Sequence, residues 1–162
     1  MSIKADPMAR WIGMGDYIEA IGPKDKRFAS GGIDEKIVNL ASIDRITDVY
    51  VEKMATILGH IAGQCWAAGM GNHEAVANSA YCTDLTVRIL DRIGRADAYC
   101  GWSGMTRVVF EPPYGSMRTA LKVYHSHGWQ AGRKDGAKVN GLDDLMGYID
   151  GCHIYLQGHS HS

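Results

Sequence analysis

Gly15-Asp16, Asn72-His73-Glu74, His125-Ser126-His127 and His159-Ser160-His161 are four places where this sequence gathers carboxylate, amide and imidazole groups. Such mixed nitrogen and oxygen donors suit a divalent ion such as Mn, Fe, Zn or Ni better than Mg or Ca alone. Taken singly, each cluster has a plainer reading. Gly-Asp after a strand is a turn with a solvated carboxylate. A His-x-His pair at a strand end is commonly a pair of surface histidines. Asn72 is a good N-cap, and Glu74 is favourable in a first helical turn. Position sets the four apart. Each follows an apolar, strand-like run, and in open α/β sheets ligands gather outside the carboxyl ends of the strands.

The elements that must position these groups can be read from periodicity. A strand is expected over 10–14 and a second over 64–70. Between them a helical pattern runs over 34–62, with Ile43, Ile46, Tyr50, Met54, Ile57, Leu58 and Ile61 forming one apolar face. A second helix is expected over 75–93, with Leu85, Ile89 and Ile93 inward and Gly94 as its stop. Extended segments follow at 98–101, 106–110 and 119–124, with a turn at Pro112-Pro113-Tyr114-Gly115. A glycine-rich, basic loop over 130–140 leads to a short helix over 142–149 and a last strand over 153–157. This order predicts one α/β domain over 1–162 with a partly parallel sheet.

Composition narrows the function classes. With 162 residues, 46% hydrophobic and 22% charged, the chain is of ordinary globular make-up. A net charge of -1 gives no support to a general nucleic-acid or membrane-surface binder. No apolar run approaches a membrane span, and residues 1–7 carry no apolar signal region, so a cytoplasmic location is the expectation. Cys65, Cys82, Cys100 and Cys152 are scattered, with no C-x-x-C pair, and read as reduced thiols.

Taken in order, Gly15-Asp16, Gly71-Asn72-His73-Glu74, His125 and Gly158-His159-Ser160-His161 resemble the calcineurin-like metallophosphoesterases. The motifs of that family run D-x-H, G-D-x-x-(D/N/E), G-N-H-(D/E), H and G-H-x-H. The resemblance implies an α/β/β/α sandwich of two mixed sheets and a centre of two divalent metal ions hydrolysing phosphate mono- or diesters. It implies that Asp16 bridges both ions, that Asn72, His125 and His159 complete one shell, and that His161 binds the other ion. His73 would be the general acid for the leaving oxygen or would stabilise the transition state, with Glu74 orienting it. Glu19 falls where the family carries an outer acid, and His127 is read as a supporting or substrate-facing group. The substrate would be a small phosphoester or nucleotide. A nuclease of the same fold acting on nucleic acid, with Trp102, Trp129 and the Arg133–Lys138 loop contributing, is a second reading, and a non-catalytic scaffold a third. No D-x-H precedes Asp16, and the chain stops one residue after His161. The expectation is therefore a fragment, incomplete at both ends, with an impaired site.

Overall fold

The computed structural model describes residues 3–19, 45–115, 118–128 and 135–159, the side chains of 135–139 excepted. His161, Trp129, Arg133 and Lys134, all named from the sequence, lie outside the described residues, as does the 34–44 part of the first helical pattern.

The described chain is mixed α/β, with two small sheets. In the first sheet, β1 (Trp11–Met14) runs parallel to β2 (Cys65–Gly69). Residues 99–101 line the other edge of β2 as a short third rung: Ala68 bridges Tyr99, Cys100 N–H donates to Ala68 O at 3.1 Å, and Met70 N–H donates to Gly101 O at 2.8 Å. The second sheet has the order β3-β4-β5. Strand β3 (Ser103–Phe110) is antiparallel to β4 (Thr119–Ser126), which is parallel to β5 (Ile154–Gln157). Parallel neighbours need a crossover, and helices supply it. Helix α1 (Ile46–Gly59) lies between β1 and β2, and α4 (Asp135–Tyr148) between β4 and β5. Helices α2 (Asn72–Tyr81) and α3 (Leu85–Arg92) follow β2.

The core forms where α3 meets both the sheet and the other helices. Leu85 and Ile89 pack with Val51 of α1 and Ala77 of α2. Leu90, on the adjacent flank of α3, packs with Cys65 and Ala68 of β2 and with Ala98. Surrounded by apolar groups, the Cys65 thiol is pushed up to about 11, so it behaves as a small hydrophobe.

Three expectations are corrected. The helix expected over 75–93 is two helices. Cys82 takes a left-handed conformation (φ 53°) and closes α2, while Asp84 caps α3 by accepting from Val87 N–H at 3.0 Å. The apolar face of α1 is wider than expected: Ile46 is buried and Met54 and Leu58 pack against the core as expected, but Val51 and Ala55 are buried too and Ile57 is exposed. The loop expected over 130–140 gives way to helix from Asp135, since three glycines, Gly136, Gly141 and Gly147, are tolerated inside α4.

Candidate metal centre

The site lies where the carboxyl ends of the two sheets meet. Beyond β1, Gly15 (φ 88°) and Asp16 (φ 54°) turn the chain sharply. A Cβ on Gly15 would lie 2.1 Å from Gly71 N, and one on Gly71 would lie 2.2 Å from Asp16 Oδ1. Two glycines thus let the loops after β1 and β2 touch through their backbones. Gly71 has no side chain to cap α2, so Asp16 does it from outside, its Oδ1 accepting from His73 N–H at 3.1 Å.

Glu74 locks this arrangement. It is fully buried, and its carboxylate accepts from the N–H groups of Asp16 (2.8 Å), Tyr17 (2.8 Å), Ile18 (3.3 Å) and Gly71 (2.9 Å). Its expected part in orienting His73 is corrected by this geometry. Both Glu74 oxygens are occupied by backbone amides, so its negative charge holds the Asp16 loop. The His73 ring faces Glu19 instead: His73 Nδ1 is 3.3 Å from Glu19 Oε2 and 3.2 Å from Glu19 O.

From the second sheet come His127 and His159. His127 is the first residue past β4; its N–H donates to Trp102 O at 3.1 Å, and Gly128 (φ 88°) then turns the chain away. His159 follows β5, also with positive φ (66°). Left-handed backbone at non-glycine residues is strained and collects at functional sites. Here it occurs at Asp16 and His159, two of the three residues whose metal-competent atoms lie within 4.8 Å of one another, the third being His127.

The hydrogen bonding of His127 fixes its tautomer. Nδ1 is 2.6 Å from the Met14 carbonyl oxygen, which can only accept, so Nδ1 carries the proton. In the neutral ring Nε2 is then a bare lone pair. It faces Asn72 Oδ1 at 2.8 Å, His159 Nδ1 at 3.1 Å and Asp16 Oδ2 at 3.4 Å. Asp16 Oδ2 is itself buried without a hydrogen-bond partner. Donor atoms held about 2.0–2.2 Å from one ion stand about 3–3.5 Å from each other, close to the three distances from His127 Nε2. The bond from Nδ1–H to a backbone carbonyl is the usual support of a ligating imidazole.

Asp16, Asn72 and His159 are thus brought together, as the sequence reading expected, and His73 stands beside them. The choice of His125 is corrected: the structure puts His127 in the cluster and His125 outside it. His125 pairs in register with Gly104 inside the second sheet, and its ring lies over the space that glycine leaves. Its Nε2 is 3.0 Å from Thr106 Oγ1 and its Nδ1 4.0 Å from Cys100 Sγ. Burial holds its pKa below the ordinary 6.5. Between those two values the unfolded chain binds a proton that the folded chain does not, so stability falls as pH drops through that window. Urea midpoints at about pH 8 and about pH 5.5 should differ more for the wild type than for His125→Gln, which cannot titrate. Equal differences would show that His125 does not carry the effect.

No family model, curated protein or solved structure matches the chain.

Proposed function

We propose that the chain carries the divalent-metal site of a phosphoester hydrolase of the calcineurin-like metallophosphoesterase type. One observation carries the reading: Asn72 Oδ1, His159 Nδ1 and Asp16 Oδ2 stand 2.8, 3.1 and 3.4 Å from His127 Nε2. The order of these residues along the chain, each beyond a strand, agrees with that family's motif order. In this reading the two sheets are the halves of its α/β/β/α sandwich.

A divalent cation held by these four groups would supply Lewis acidity toward a phosphoryl oxygen and make water more acidic. The chain's own residues do the rest. Asp16 puts one carboxylate oxygen into the site and uses the other to cap α2. Asn72 and the two imidazoles add donors without further negative charge, so the site stays attractive to an anionic ester. His73, at the open end of α2 and partly exposed, is placed to hand a proton to the leaving oxygen, with Glu19 on its Nδ1 side orienting the ring. The second ion that the resemblance implies would share Asp16 and take His161, which lies outside the described residues.

Elemental analysis of the purified chain, beside hydrolysis of p-nitrophenyl phosphate and bis-p-nitrophenyl phosphate with added Mn²⁺, tests the reading. At least one transition ion per chain and metal-dependent turnover are expected. A chain that folds but takes up no Mn, Fe, Zn or Ni would sink it. His73→Ala should lower turnover by about 10²-fold or more while leaving metal content unchanged. Parallel loss of both would make His73 a ligand.

A further inference from the structure

The face of α2 turned away from the core forms a groove that begins at the proposed metal site. Asn72, Ala75, Val76, Ser79 and Ala80 line one side of a cavity of about 520 Å³, and Trp102 lines the other. The spacing, i, i+3, i+4, i+7 and i+8, is one continuous stripe of the helix. It is not the stripe the core uses, since the buried residues of α2 are Glu74 and Ala77. Val76 is 63% exposed and Trp102 38% exposed, so the groove offers apolar surface to solvent beside a polar site. The volume falls in the range of small-molecule sites.

Two ties fix the tryptophan to the site. Its backbone oxygen accepts from His127 N–H at 3.1 Å, and its ring meets the His127 ring edge-on, centroids 5.1 Å apart at 73°. Asn72 belongs to both the groove and the acceptor cluster. Among the described residues, the groove lining carries no lysine, arginine or carboxylate. The described lining is apolar and small, which suits an organic ring better than the charged track that a polynucleotide backbone needs. Small side chains at Ala75, Ser79 and Ala80 leave room for a flat group against the indole.

We propose that this groove seats the organic part of the ester and that the preferred substrate is an aryl phosphoester, its ring lying between Trp102 and the Ala75–Ala80 stripe. The proposal rests on the phosphoester reading of the neighbouring cluster and adds the substrate class. Phosphonates test it without chemistry, because their P–C bond is not hydrolysed. Calorimetric titration of the Mn²⁺-loaded chain with phenylphosphonate and methylphosphonate should give about tenfold tighter binding of the phenyl compound. In Ser79→Phe, an exposed position where a ring fills the groove, the two should bind about equally, with metal content unchanged. Trp102→Ala should likewise narrow the preference.

Equal affinity of both phosphonates for the wild type, with metal bound, would overturn the aryl proposal and leave the phosphoester site standing. Failure to bind either phosphonate or the metal would remove both. Tighter binding of a short oligothymidylate than of phenylphosphonate, abolished by Ser79→Phe, would overturn the proposal in favour of a nucleic-acid groove.

Discussion

His127→Ala should leave the folded chain unable to retain a divalent ion, while His125→Ala should retain it. The two residues have the same chemistry and stand two positions apart, yet of the two only His127 turns Nε2 toward Asn72, His159 and Asp16. Removing its imidazole deletes a donor and leaves the Met14 carbonyl without its N–H. Supporting groups alone are worth about 10–100-fold in metal affinity, and loss of a donor should exceed that. His125→Ala instead empties a buried position over Gly104 and removes the partner of Thr106. It should lower stability by about 2 kcal/mol or more with metal affinity within a few fold of wild type. Mn²⁺ titration of both variants, with circular dichroism to establish folding, makes the comparison. Retained affinity in His127→Ala would remove the basis of the proposed site.

Glu74→Ala should be the most destabilising single change in the loop region. Four N–H groups lose their acceptor at once, and all lie where water has no access or only partial access. Each unsatisfied buried donor costs about 1–3 kcal/mol. Even with partial relaxation, a loss of about 4 kcal/mol or more is expected, which ranks among exceptional single-site effects. Glu74→Gln keeps one acceptor oxygen but turns the other into a donor facing N–H groups, so it should recover less than half. Urea unfolding of the three proteins measures this. A Glu74→Ala variant within about 1 kcal/mol of wild type would show that the Asp16 loop is held by something else.

Much of the site was legible because glycine punctuates it. Gly15-Asp16 and Gly71-Asn72 mark strand ends in the sequence, and in the folded chain those same glycines permit the contact of the two loops. The misassignment within His125-Ser126-His127 had a readable remedy. Gly128 directly after His127 signals where β4 stops, and the histidine that meets Asp16 and His159 is the one just outside the strand, not the one inside it. The role of Glu74 was less accessible. A carboxylate in a first helical turn looks the same in sequence whether it faces solvent or a neighbouring loop, and only tertiary contact decides. The break between α2 and α3 was signalled by Asp84 as an N-cap but masked by the apolar period running through it. The burial of Val51 and Ala55 in α1 depends on how α3 meets that helix, which local periodicity does not encode.

The four converging groups come from different sheets: Asp16 and Asn72 from the loops after β1 and β2, His127 and His159 from the ends of β4 and β5. An ion bound among them is therefore also a cross-link between the two halves of the described fold. Binding and cohesion become one equilibrium. Every tenfold rise in free ion above its dissociation constant should add about 1.4 kcal/mol to the unfolding free energy. A chelator should act on this protein as a mild denaturant, loosening the second sheet from the first before either sheet melts.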